Sequence, residues 1–229
     1  MLKVHILQTS EADKRSYTKL LAEAFGYRFF GGGLANDKSL QEPILEAHLN
    51  AAQLDGEGEI QVAEFPGVGV AGVAVWSRRF GPGHMFLSTE AQRNAGWNQV
   101  MNRLPTEYQV FWAEFTERYN ELSEIYLGPG VKLGAYHLQL IGVAPEHQKK
   151  GVATALMQYA EGKASQTDGS QARAQQVSSV LETTGLTNVA IYKSLGYTAA
   201  GSTPIKAPPP SDGTFDMVVL IKHTEESDE

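Results

Sequence analysis

Apolar positions along the chain follow two rhythms, and the order in which those rhythms alternate predicts the fold. Residues 4–7, Val-His-Ile-Leu, read as a short first strand. Tyr17, Leu20, Leu21 and Ala24 then recur at helical spacing behind Ser10, a good N-cap residue with Asp13 three places on. They predict a helix ending near Phe25. An aromatic stretch, Tyr27-Arg28-Phe29-Phe30, runs into Gly31-Gly32-Gly33 and predicts a mobile loop. Leu40, Ile44, Leu45, His48, Leu49 and Ala52 predict a second helix over about 38–53. Residues 60–65 alternate as a strand, Pro66-Gly67 turns the chain, and 68–76 form a longer apolar run, so the pair reads as a β-hairpin. Residues 77–83 are turn-rich.

Residues 88–127 read as an inserted helical pair, the first helix over 90–103, with Pro105 suited to the first turn of the second. In the second, Phe111, Trp112, Phe115, Tyr119, Leu122, Ile125 and Tyr126 make an aromatic stripe, which either packs the helix on the core or walls a substrate site. Gly128-Pro129-Gly130 ends it. A strand over 136–143, a helix over 151–164, a polar loop at 166–171, a strand over 177–182 and a helix over 188–195 follow. Two closing strands, 197–205 and 215–221, flank a Pro-rich loop at 208–213. Strands interleaved with helices imply one α/β domain with a mixed sheet.

Composition narrows the classes. With 229 residues and 42% hydrophobic content, the chain can bury a core without staples, and it has no cysteine for disulfides, thiolate metal sites or a thiol nucleophile. A net charge of −7 argues against a general nucleic-acid binder. Part of that charge lies in residues 224–229, which read as a disordered acidic tail. No apolar run reaches the roughly 20 residues of a bilayer span. The start is too short and mixed for a signal peptide, so a cytoplasmic, membrane-free protein is expected.

The most informative segment is 136–160. A strand ends at Val143, Ala144-Pro145-Glu146 turns the chain, and Gln148-Lys149-Lys150-Gly151-Val152-Ala153-Thr154 leads into a helix. Unpaired N–H groups at a helix N-terminus converge on one spot, where the dipole favours an anion, and Gly151 permits backbone angles that a Cβ forbids. The spacing matches neither the P-loop nor Gly-x-Gly-x-x-Gly. Alone, the string reads more readily as a plain turn before a helix.

Two blocks in order give it context. Leu138-Gln139-Leu140-Ile141-Gly142-Val143-Ala144-Pro145 feeds into the string. Downstream come Leu181-Glu182-Thr183-Thr184 and Asn188-Val189-Ala190-Ile191-Tyr192-Lys193-Ser194-Leu195-Gly196-Tyr197. Together they resemble the GCN5-related N-acetyltransferase (GNAT) superfamily: its Gln/Arg-x-x-Gly-x-Gly/Ala signature, then its Asn…Tyr…Leu-Gly-Phe segment, with Tyr197 where Phe is usual. The Leu-Glu-Thr strand and residues 204–217 are similar to the puromycin N-acetyltransferase branch.

The resemblance implies a single α/β domain over 1–223. It would hold a mixed, mostly antiparallel sheet of six or seven strands, a bulged central strand and the insertion at 88–127. It implies acetyl transfer from acetyl-CoA to an amine by direct attack in a ternary complex. On that basis Ile141 and Val143 offer backbone groups to pantetheine, with Gly142 relaxing the bulge between them. Gln148, Lys149, Lys150, Gly151, Val152, Ala153 and Thr154 hold the pyrophosphate. Asn188 bonds the pantetheine chain, and Tyr192 protonates the leaving thiolate. Glu182, at a strand end where partial desolvation raises a carboxylate pKa, is the first choice of base; Glu64 is a weaker one, and loss through water is a third route. His5, His48 and His223 read as structural, His147 as near the phosphate path, and His84 and His137 as facing substrate; Trp76 is a core residue or a substrate wall. No metal cluster is expected. The acceptor is expected to be a small-molecule amine and the protein a monomer or homodimer. The alternatives are a protein or peptide N-acetyltransferase and a silent acyl-CoA-binding module.

Overall fold

The computed structural model describes residues 1–6, 11–29, 32–54, 58–77, 87–164 and 177–223. Seven strands form one sheet in the order β1-β2-β3-β4-β5-β7-β6, within the expected six or seven. They are β1 (Lys3–Ile6), β2 (Gly58–Phe65), β3 (Gly69–Ser77), β4 (Tyr136–Val143), β5 (Val177–Thr184), β6 (Thr198–Lys206) and β7 (Thr214–His223). Every neighbouring pair is antiparallel except β4 and β5. The helices that cover the sheet are α1 (Glu11–Ala24), α2 (Gln41–Gln53), α3 (Thr106–Leu127), α4 (Val152–Ala164) and α5 (Leu186–Ser194).

The sheet separates two apolar clusters because strand side chains alternate between faces. On one face Leu21 of α1, Ile44 and Leu49 of α2, and Phe111, Trp112 and Leu122 of α3 pack over Val62, Val73, Val75, Leu140 and Val180. On the other, Val152, Leu156 and Ala160 of α4 cover Ala74, Trp76, Leu138 and Leu181. Gly72 on β3 lets α4 approach closely: a Cβ there would lie 2.7 Å from Val152 Cγ1. The aromatic stripe of α3 is mostly core, as the first of its two readings held, although Ile125 is exposed.

Several boundaries differ from the sequence pattern. The first inserted helix is not continuous over 90–103. It is three short pieces, Glu90–Gln92, Arg93–Trp97 and Asn98–Met101, kinked at Gly96, whose φ of +133° no helix interior accommodates. Pro105 lies just before the first turn of α3 rather than within it. A short helical turn, Val131–Gly134, precedes β4 and carries no periodic signal of its own. β5 continues to Thr184. The expectations placed on Leu7, Ser10, Phe30-Gly31, 78–83, His84, 166–171 and the tail 224–229 lie outside the described residues.

Candidate functional site

The strand register opens a cleft in the middle of the sheet. β4 and β5 pair only at Tyr136–Ser179, His137–Val180 and Leu138–Leu181. Beyond Leu138, β4 runs on to Val143 and β5 to Thr184 without pairing to each other. Each has its other neighbour, β3 or β7, fully registered. The fork therefore presents unpaired backbone groups on facing edges, a site for an extended ligand to add as a strand. Exposure agrees: Gln139, Ile141 and Val143 on β4, and Thr183, Thr184 and the backbone of Glu182 on β5, are partly accessible although both strands are central.

The cause is a bulge. Val75 registers with Leu140 but Trp76 with Leu138, so Gln139 is the extra residue. It shifts the alternation, placing Leu138 and Ile141, three apart, on the same face with α4. This corrects the role expected of Gly142, which lies beyond the bulge. Its missing Cβ makes room for α1 instead: a Cβ would stand 2.7 Å from Leu21 Cδ2 and 3.1 Å from Ala24 Cβ.

At the open end of the fork stands the anion cradle. A short 3₁₀ turn, Pro145–His147, leads to Gln148, whose Nε2 donates to the Val143 carbonyl at 3.3 Å and ties the cradle to the strand end. Lys149 and Gly151 both have positive φ, +59° and +78°, flanking Lys150. Such a left-handed loop before a helix turns successive N–H groups inward. The first closing bond of α4 runs from Ala155 N to the Gly151 carbonyl, so the N–H groups of Val152, Ala153 and Thr154 precede the helical ladder. Gln148, Lys149, Lys150 and Gly151 are exposed, and no atom lies within 4 Å of where a Gly151 Cβ would be. Glycine is required there by backbone angle, not by crowding.

Across the fork, α5 carries Asn188 and Tyr192. Asn188 is exposed, and its amide donates to the Thr184 carbonyl at 3.0 Å. Tyr192 packs into the apolar cluster that also takes Ile141, Val143 and Leu181. Burial raises its phenol to about 12. No residue of α5 is fully buried, and Leu186 and Ile191 are exposed.

The Glu182 expectation needs correction. The side chain is not partly desolvated with a raised pKa; it is fully enclosed and its carboxyl is held well below the usual carboxylate range. Burial alone would raise it, but three groups favour the anion. His137 Nε2 lies 2.6 Å from Oε2 and the Tyr119 hydroxyl donates to the same oxygen at 2.7 Å. Lys132 Nζ stands 2.9 Å from Oε1, a charge contact rather than an aligned hydrogen bond. The ammonium also sits 4.1 Å over the Tyr119 ring. His137 is pushed below its usual value by burial and by Lys132, against the pull of Glu182. Its Nδ1 faces Gln139 Nε2 at 2.7 Å, and that amide also donates to Ser77 Oγ at 3.0 Å.

The remaining candidates separate cleanly. Glu64 lies on β2, with β3 between it and β4, away from the fork. Trp76 is fully buried core. His48 is structural: Nδ1 meets the Ile44 carbonyl at 2.7 Å, and burial lowers it to about 4. His147 packs its ring on Phe65 beside the cradle. Among the described residues no group of three or more His, Asp or Glu is placed to hold a metal ion, and no helix is long and apolar enough to cross a membrane. Sequence reasoning missed Lys132. Its signal is a lone lysine between Val131 and Leu133, in the turn that enters a buried strand.

A family model described as "Acetyltransferase (GNAT) domain" matches residues 106–199, from the start of α3 through cradle and fork to β6. Solved structures agree over nearly the whole chain. The Drosophila melanogaster polyamine N-acetyltransferase superposes with a TM-score of 0.56 at 13% identity, covering 97% of this chain and 100% of that one. The ribosomal-protein-S18-alanine N-acetyltransferase of Escherichia coli gives 0.52 at 13%, covering 100% and 97%. A Corynebacterium glutamicum structure described as histone acetyltransferase HPA2 and related acetyltransferase gives 0.52 at 17%, covering 96% and 97%. No curated protein sequence matches the chain. At such identities the structures attest a shared fold, and their own acceptors, by name, range from polyamines to proteins.

Proposed function

We propose that the chain is an N-acetyltransferase of the GNAT superfamily, a reading supported by the acetyltransferase-domain match over residues 106–199 and the shared fold, and that it transfers the acetyl group of acetyl-CoA to the amine of a small molecule by direct attack in a ternary complex. One observation carries the reading: the cradle at the start of α4 and the β4–β5 fork are continuous, joined by the Gln148–Val143 bond. A pyrophosphate in the cradle directs an extended chain into the fork, where it completes the strand edges. The loop from Gln148 to Gly151 and the N–H groups of Val152, Ala153 and Thr154 hold the phosphates. Backbone groups of Ile141 and Val143 and the Asn188 side chain hold pantetheine. A free β4 amide near the bulge polarises the thioester carbonyl and holds the developing oxyanion.

The amine nitrogen attacks the carbonyl carbon, the C–N bond forms and the C–S bond breaks. The ammonium gives up two protons in all, one to solvent through a base and one to the leaving sulfur. Tyr192 supplies the latter and is re-protonated from the collapsing intermediate. Burial raises both the phenol and a thiolate held beside it, which keeps the two matched for transfer. The small-molecule acceptor is supported by α3, whose aromatic side packs down on the sheet face opposite α4 and leaves the fork floor covered there.

The test combines calorimetric CoA binding with thiol release from acetyl-CoA across an amine panel, products being identified by mass. Turnover of small amines is the expected result. Turnover confined to peptide or protein amines would overturn the acceptor class. Tight CoA binding with no thiol release for any amine would indicate a silent binding module.

A further inference from the structure

The fork closes on a network of four side chains from four places in the chain: Tyr119 of α3, Lys132 of the turn before β4, His137 of β4 and Glu182 of β5. Glu182 is the residue next to the last paired position of β5, and His137 belongs to the last paired positions of β4. The network therefore sits at the apex of the cleft, where a thioester at the end of a pantetheine chain would stop.

Glu182 has no capacity left to take a proton from an amine. Oε2 already accepts from two donors, and Oε1 faces an ammonium in a fully enclosed space. Tyr119 keeps its phenolic proton, since burial and the adjacent carboxylate both raise it. Lys132 is buried with its charge facing Glu182. That leaves His137. Because Nε2–H donates to Glu182, the other nitrogen, Nδ1, carries the lone pair. Nδ1 points at the bulged, partly exposed Gln139, and the chain of contacts leads on to Ser77, also partly exposed. The Gln139 amide is an N–H donor sitting at 2.7 Å from that lone pair. It marks the position an acceptor N–H takes when it displaces the amide.

We infer that His137 is the general base that removes the acceptor's ammonium proton at Nδ1, and that Glu182, held as an anion by Lys132 and Tyr119, is a positioning residue that fixes the histidine tautomer. The proton passes from the ammonium to Nδ1, the freed nitrogen pair attacks the thioester carbon, and the imidazolium returns its proton to solvent past Gln139 and Ser77. The charged and titratable groups facing this histidine are Glu182, Lys132 and the Tyr119 hydroxyl, with Glu124 of α3 acting on Lys132 from further off. Glu182 favours the imidazolium and Lys132 disfavours it. The neutral form is thus available as a base near neutral pH. This inference rests on the amine-acetylating reading above.

Three measurements test it. His137→Gln keeps an N–H for Glu182 but has no base; it should lower kcat roughly 10²- to 10⁴-fold with the KM for acetyl-CoA unchanged. Gln139→Glu, at a partly exposed site, puts a carboxylate on Nδ1 and should move the acid limb of the pH–kcat profile upward. Imidazole ¹⁵N shifts of the whole wild-type protein, with His137 assigned from the His137→Gln spectrum, should show the Nε2–H tautomer at neutral pH. Wild-type rates in His137→Gln, an acid limb unmoved by Gln139→Glu, or an Nδ1–H or doubly protonated ring at neutral pH would each overturn the inference. Absence of turnover in the wild type removes the base role along with the amine-acetylating reading. A turning-over wild type with an indifferent His137→Gln removes the base role alone.

Discussion

Replacing Lys132 by Met keeps the side chain's length and apolar packing while deleting the ammonium that faces Glu182. In the wild type the carboxylate has two hydrogen bonds on Oε2 and the ammonium 2.9 Å from Oε1, all inside a fully enclosed space. Removing one partner of such a pair strands the other charge, which destabilises by about 3–5 kcal/mol, far more than an exposed pair is worth. The effect carries a pH signature. In the wild type His137 is depressed below its unfolded value, partly by Lys132. A histidine so depressed loses stability as pH falls through its unfolded value of about 6.5, since the unfolded chain then binds more protons. Without Lys132 only burial still opposes the pull of Glu182, so His137 rises and can charge inside the fold to replace the missing cation. The loss caused by Lys132→Met should therefore be largest near pH 8 and smaller near pH 5.5.

Urea unfolding of both proteins at the two pH values, with m unchanged, measures the difference. Adding Glu182→Gln to Lys132→Met should restore part of the stability near pH 8, because the stranded charge is gone while an acceptor for Tyr119 and His137 remains. A loss below about 1 kcal/mol near pH 8, or one equal at both pH values, would refute the reasoning that the pair is buried and that Lys132 restrains the histidine.

Four further outcomes are expected. Gly151→Val forces a β-branched residue to the φ of +78° that the cradle needs; it should weaken CoA binding at least tenfold by calorimetry and lower stability by about 1–2 kcal/mol through backbone strain alone, since nothing crowds that position. Tyr192→Phe should lower kcat by one to three orders of magnitude without changing CoA affinity, and wild-type activity should show no loss from phenol ionisation below about pH 11, given a hydroxyl raised to about 12. Gly142→Ala pushes a methyl against Leu21 and Ala24 and should destabilise by about 1–3 kcal/mol in chemical denaturation. Saturating CoA should slow amide hydrogen exchange in α5, which has no fully buried residue of its own, and leave α2 unchanged.

The cradle and strand half of the candidate site was legible because it is local. Gly151, the cradle and the strand before it lie within one short stretch, and a positive-φ glycine at a helix start leaves a mark on sequence. The α/β class was legible for the same reason, since each helix and strand carries its own period. The network at the fork was not, because its members come from residues 119, 132, 137 and 182, and their relation depends on β4 meeting β5 in parallel at only three positions. Glu182 illustrates the limit. A carboxylate ending an apolar strand signals a perturbed group, but the direction of the shift is set by partners distant in sequence. With no partner it would rise; with Lys132, His137 and Tyr119 it falls. Gly142 misled similarly: a glycine in a central strand marks a close approach, and only the register tells a bulge from a packed helix.

That distance in sequence also gives α3 a second role. The family match begins at residue 106, the first residue of α3, so the helix falls inside the matched domain while the kinked segment before it does not. α3 reaches the site through Tyr119, and it grips the far edge of the sheet through Tyr126, whose hydroxyl donates to the Ser202 carbonyl at 2.7 Å. Its ring fills the space left by Gly201, where a Cβ would overlap the ring. One rigid helix thus spans from the fork to β6. Gly201→Ala, at the sheet edge away from the fork, should disturb the Tyr119–Glu182 contact by displacing Tyr126. If the helix transmits position as well as packing, this variant should lower kcat more than its effect on KM for acetyl-CoA, whereas a variant that only loosens β6 would leave kcat of the folded fraction intact.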